Sequence, residues 1–249
     1  FSAVAATAGE ESVGDENYEV SLRSGGGLAI AALAIAGRNY YPGAEHTQKE
    51  YIQAAKSAWA YLSENNERYT NDGKWNLVDE YCALIAATEL YITTKEYDYL
   101  QKARLMAEKI YLRTTLTGSG LKRLEAAEGI PYYHAADEGM PVVALLQYAE
   151  IEPDDDKRVQ AVEYAEDIMR WKLMVTDNRS NPFGYPVLES REGEQIVEKF
   201  FFPHHSTAAP WWQGDNARIA SIAAACAELS FVTKDEELAV RCRRMAQDP

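Results

Sequence analysis

The amino-acid sequence predicts an all-α protein of α/α-hairpin repeats, arranged as an α/α toroid or an open solenoid. Long stretches with apolar residues at i, i+3 and i+4 recur in pairs along the chain. Turns within a pair are short and connections between pairs are long, which makes each pair an antiparallel hairpin. In each pair the first helix is Ala-rich and nearly uncharged after its first turn, whereas the second carries a charged outer face. Helices buried all round, wrapped by helices that face water, are the inner and outer layers of a toroid or an open solenoid.

Residues 1–23 are small, polar and acidic and read as a leading loop; residues 24–249 read as the helical domain. Leu28–Arg38 is rich in Ala, Leu and Ile and follows Gly25-Gly26-Gly27. Thr47 is placed to cap the next helix, where Tyr51, Ala54, Ala55, Ala58, Trp59 and Leu62 keep helical spacing. Further pairs are expected over Asn76–Thr93 and Tyr97–Arg113, Glu138–Ile151 and Asp155–Lys172, and Asp215–Val232 and Asp235–Ala246. The second and fourth pairs repeat one another: Ala86-Ala87-Thr88-Glu89-Leu90 corresponds to Ala225-Cys226-Ala227-Glu228-Leu229. Strands are scarce, and Phe183–Leu188 with Gln195–Phe202 is the best candidate for one short β-hairpin.

A formal net charge of −14 argues against nucleic acid, since phosphate binding needs clustered Lys and Arg. No apolar run approaches the roughly 20 residues of a membrane span. Three cysteines, Cys82, Cys226 and Cys242, lie inside helical patterns at wide spacing and read as reduced core thiols. Reduced thiols lean towards a cytoplasmic compartment without determining it. No cofactor and no metal are expected.

The unusual chemistry gathers in the long connections 114–137 and 173–214, which lead into inner-helix starts. Acidic residues stand at those starts: Asp79-Glu80, Asp137-Glu138 and Asp215. A carboxylate in a first helical turn is favoured as a cap in any case. Here, though, aromatics and histidines cluster at the same ends, among them Trp75, Tyr81, Tyr132, Tyr133, His134, His204, His205, Trp211 and Trp212. Aromatic faces beside carboxylates suit pyranose rings, whose C–H faces stack while their hydroxyls seek acceptors. The candidate sugar-binding set is therefore Trp75, Asp79, Glu80, Tyr133, His134, Asp137, Glu138, His204, His205, Trp211, Trp212 and Asp215. Asp79, Asp137 or Glu138 can also hold a protonated amine. No catalytic acid or base is assigned from the residues alone.

The runs Gly25-Gly26-Gly27-Leu28-Ala29-Ile30-Ala31-Ala32-Leu33, Asp79-Glu80-Tyr81-Cys82-Ala83-Leu84, Tyr133-His134-Ala135-Ala136-Asp137 and Trp211-Trp212-Gln213-Gly214-Asp215-Asn216-Ala217-Arg218 resemble glycoside hydrolase family 9. The likeness is greater to its non-cellulase branch of endoglucanase-related proteins and exo-β-glucosaminidases. The resemblance implies that the α/α-hairpin repeats form part of an (α/α)6 toroid, and that the enzyme performs inverting hydrolysis of β-linked glucose or glucosamine oligosaccharides by a pair of separated carboxyls. The Asp-Ala-Gly-Asp motif of that family is absent from this sequence. Eight expected helices make four hairpins where a closed toroid needs six. The chain is thus expected to be the central portion of a catalytic domain, either a processed fragment or one polypeptide of a nicked enzyme whose companion chain completes the barrel, with no glycosidase activity on its own. The alternatives are a sugar epimerase or isomerase using His204 and His205 to move a proton, and a non-catalytic helical scaffold for a protein partner.

Overall fold

The computed structural model describes residues 20–70, 72–127, 129–132, 135–180, 184–192, 195–199 and 215–247. Its described residues contain eight α-helices and two small antiparallel hairpins, and they fall into two compact units that meet in sequence at Glu108 and Lys109. No helix among them is long and apolar enough to cross a membrane.

In the first unit a π-helical turn, Leu22–Gly26, leads into α1 (Gly27–Arg38). Next come α2 (Gln48–Asn65), a 3-10 turn (Asn66–Tyr69), α3 (Leu77–Thr94) and most of α4 (Tyr97–Leu112). Helix α2 starts where the sequence placed its cap. Thr47 Oγ1 accepts from Glu50 N–H and the Glu50 carboxylate accepts from Thr47 N–H, a reciprocal capping box. Helix α1 packs on both α2 and α3. That close approach depends on Gly27, where a Cβ would sit 2.7 Å from the Cβ of Cys82. Helix α3 is the inner helix of the unit, with Asp79 to Thr88 buried without interruption. It ends in a left-handed Lys95, φ 58°, whose N–H closes on Tyr91 O at 2.9 Å. Trp59 of α2 meets Tyr99 of α4 edge to face, with centroids 6.3 Å apart.

The second unit opens with β1 (Thr114–Leu116) and β2 (Lys122–Leu124), paired Thr114 to Leu124. A 3-10 turn, Ala135–Glu138, precedes α5 (Met140–Ile151), followed by α6 (Asp155–Asp177). Then come β3 (Leu188–Glu192) and β4 (Gln195–Lys199), and finally α7 (Asp215–Val232) and α8 (Glu236–Gln247). Helix α5 is the inner element here. It packs on α6 and α7, and α7 packs in turn on α8. Its start is pressed against α7: a Cβ on Gly139 would lie 2.0 Å from Ser221 O.

The structure departs from the expected elements in four places. Helix α5 begins at Met140 rather than Glu138, because the 3-10 turn and Gly139 intervene. Helix α6 runs on past Lys172 to Asp177, since Leu173, Val175 and Thr176 continue its buried face. The first strand of the expected hairpin is Leu188–Glu192, not Phe183–Leu188; residues 184–187 are not strand, and Phe183 and residues 200–202 lie outside the described residues. The β1–β2 hairpin was not foreseen at all.

Candidate active site at the inner-helix starts

Each unit carries a consecutive pair of acidic residues where its inner helix begins. In the first unit, Asn76 caps α3: its Oδ1 accepts from Val78 N–H at 2.9 Å, and Asp79 Oδ2 accepts from Asn76 N–H at 3.0 Å. The same Asp79 Oδ2 takes the Arg23 guanidinium at two points, Nε at 2.8 Å and Nη2 at 2.6 Å. Asp79 Oδ1 accepts from Asn66 Nδ2 at 3.0 Å, and Asn66 Oδ1 accepts from Leu22 N–H at 2.7 Å. Asp79 is wholly buried. One carboxylate therefore joins the π-turn, the 3-10 turn and the start of α3, and both its oxygens are engaged. Glu80 follows it, 3 % exposed, and Trp75, just before the cap, is half-buried.

The second unit holds a different arrangement. Asp137 and Glu138 close the 3-10 turn ahead of α5, and both are buried. Glu138 Oε1 accepts from Lys172 Nζ at 3.0 Å. Lys172, 2 % exposed, also donates to Val187 O at 2.9 Å and lies 5.1 Å from the centroid of the Tyr132 ring. Glu138 Oε2 is buried with no hydrogen-bond partner among the described residues. Burial pushes the Glu138 carboxyl above its ordinary value against the pull of Lys172 and Arg218. Burial, reinforced by Glu138 and Glu189, likewise raises the Tyr132 phenol well above its own. Arg218 of α7 is fully buried and donates to Pro186 O. Trp171 Nε1 donates to Glu189 Oε2 at 3.2 Å. A buried carboxyl with a raised pKa and one uncommitted oxygen keeps its proton to higher pH than an ordinary glutamate does.

Of the residues singled out from sequence, the structure places Trp75, Asp79 and Glu80 together at the start of α3, and Asp137 and Glu138 together before α5. Asp215 is the first residue of α7, the helix that packs against the 3-10 turn. Tyr133, His134, His204, His205, Trp211 and Trp212 lie outside the described residues. Sequence reasoning missed Arg23 and Lys172. The signal for Lys172 was present, because it falls on the buried stripe Ala161, Ala165, Ile168, Met169, Lys172 of α6. An ammonium on such a stripe needs a buried partner. No group of His, Cys, Asp and Glu among the described residues could hold a metal ion.

Paired inner and outer helices with acidic inner-helix starts define an α/α-toroid fold, and solved structures bear that out. The chain is similar to the GH76A α-1,6-mannanase from Salegentibacter sp. HEL1_6, with a TM-score of 0.60 at 17% identity. The match takes in 95% of this chain and 62% of that one. Two inactive variants of that mannanase, each with two consecutive aspartates replaced, match comparably. The one in complex with α-1,6-mannotriose gives a TM-score of 0.59, and the one with α-1,6-mannotetrose gives 0.56, both at 16% identity. No protein-family model matches the sequence, and neither does any curated protein. The toroid expected from the family 9 resemblance stands. Family 9 itself gains no support: the shared architecture is that of a family 76 enzyme acting on an α-linked mannan rather than on β-linked glucose or glucosamine.

Proposed function

We propose that this chain belongs to a glycoside hydrolase that cleaves α-1,6-linked mannose chains, with carboxyl pairs at the inner-helix starts as its machinery. The observation that carries the reading is the repeated placement of two consecutive acidic residues, Asp79-Glu80 and Asp137-Glu138, at those starts. In the mannanase of the same fold, replacing two consecutive aspartates yields the inactive variants. Asp79, with both oxygens committed, is a positioning residue that fixes the backbone from which Glu80 projects. Glu138 has the raised pKa that protonation of a leaving glycosidic oxygen requires. Trp75, half-buried just before the start of α3, is the aromatic face we assign to stack on a sugar ring. The epimerase and scaffold alternatives have no comparable support.

The test is hydrolysis of α-1,6-mannotetraose by the enzyme that contains this chain, followed by chromatography of the released sugars, with cello- and chitosan oligosaccharides as controls. Mannose or mannobiose should be released and the β-linked controls left intact. Glu80→Gln and Glu138→Gln should each lower kcat by about 10²–10⁴, the usual share of a proton-transfer group. Cleavage of the β-linked controls alone, or full mannan activity in both variants, would overturn the proposal.

A further inference from the structure

Cys226 and Cys242 stand apart from the sugar chemistry and belong to one hairpin. They lie on α7 and α8, and each is eight residues from Lys234 at the turn between the helices, so they share one level of the antiparallel pair. Both are 0% exposed, and Ala225 and Ala239 beside them are buried too. Their side chains hydrogen-bond to each other. Packed helix axes are about 8–10 Å apart with Cα atoms near 2.3 Å from each axis, so facing Cα atoms lie roughly 3.5–5.5 Å apart. That range overlaps the Cα separation of about 4.4–6.8 Å that a disulfide spans.

We propose that Cys226 and Cys242 form an oxidisable pair that closes into a disulfide between α7 and α8. The inference does not depend on the proposed hydrolase activity. The two thiols are not equivalent. The hydrogen bond from Cys226 holds the Cys242 thiol below its ordinary value, helped by the guanidiniums of Arg241 and Arg170. The same bond and burial push the Cys226 thiol up. Cys242 is therefore the attacking thiolate. A peroxide is the oxidant suited to an enclosed pair, being small enough to enter a packed hairpin. The Cys242 thiolate attacks one peroxide oxygen, breaks the O–O bond and releases hydroxide, leaving a sulfenic acid. Cys226 Sγ then attacks Cys242 Sγ; the S–O bond breaks, and the departing hydroxyl takes the Cys226 proton and leaves as water. In sum, two thiols and one hydrogen peroxide give one disulfide and two waters.

The experiment treats the folded, reduced protein with hydrogen peroxide, quenches, denatures with an alkylating reagent and maps the peptides by mass. The expected product is a Cys226–Cys242 cross-linked peptide, with Cys82 still alkylated and the intact mass lower by two hydrogens. The thermal midpoint should rise by about 6–12 °C, the effect of closing a loop of this length in a chain of this size. Dithiothreitol should reverse the rise, and Cys242→Ser should abolish both cross-link and shift. Recovery of Cys226 and Cys242 as alkylated thiols, conversion of Cys242 to sulfinic acid without the link, or a cross-link to Cys82 would each overturn the proposal. Because the decisive map is of the unaltered protein, a serine variant that fails to fold leaves the test intact.

Discussion

Replacing Lys172 with Met removes the ammonium that donates to Glu138 Oε1 while keeping most of the side chain's volume. Oε1 of the buried carboxyl then loses that donor, and its Oε2 already has no partner among the described residues. An isolated carboxylate there is more costly than a protonated one, so the variant should fold with Glu138 neutral. Holding a proton at pH 7 on a group whose ordinary value is 4.5 costs about 1.36 kcal/mol for each of two and a half pH units. Because the parent carboxyl is itself already raised, this sets an upper bound of about 3 kcal/mol on the loss, at the low end of what breaking a buried pair costs. At pH 5 the same bound falls below about 1 kcal/mol.

The sign follows from linkage: a carboxyl whose pKa is raised in the folded state binds more protons there than when unfolded. Its contribution is fully present below the unfolded value and is lost as pH rises through the folded one. Urea unfolding followed by helical ellipticity, for parent and Lys172→Met at pH 5 and pH 7, measures both losses. The double variant Lys172→Met, Glu138→Gln needs no proton and should recover part of the pH 7 loss. Equal destabilisation at the two pH values would refute the reasoning, because the cost would then be one of packing and not of charge.

Two further outcomes follow from local geometry. Gly27→Ala should lose about 1–3 kcal/mol in urea unfolding, since the new Cβ meets Cys82 Cβ at 2.7 Å and Cys82 O at 2.8 Å and must push α1 off α3. Thr47→Ala should lose about 1 kcal/mol, removing one half of the capping box at α2, with Thr47→Asp retaining most of the stability.

Elements governed by local rules were legible in the sequence, and features made by distant partners were not. Helix α7 begins and ends where expected, Asp215 and Val232, because an acidic start and a Thr-Lys turn mark its ends. Thr47 was legible as a cap because its partner Glu50 is three residues away. The strands Thr114–Leu116 and Lys122–Leu124 are three residues each, too short for an alternating pattern to register. At the site, the acidic residues before the inner helices could be picked out, but what each one touches could not. Arg23 lies 56 residues from Asp79, and Lys172 lies 34 residues from Glu138. Nothing in the neighbourhood of either carboxyl announces its cation. The sequence thus offered Asp79 and Glu138 as equivalent candidates. The structure separates a carboxylate with both oxygens committed from one with an oxygen to spare.

The two inner helices differ in the order in which their neighbours are made. Helix α3 packs on α1 and α2, both of which precede it along the chain. As it leaves the ribosome, it finds a surface already waiting. Helix α5 instead packs on α6 and α7, which follow it, and the second of these starts roughly 64 residues after Ile151. At about 5–20 residues per second, the apolar segment Pro141–Leu146 waits some 3–13 s for its last neighbour to be translated. During synthesis, that segment is where a nascent chain of this protein is most in need of a chaperone.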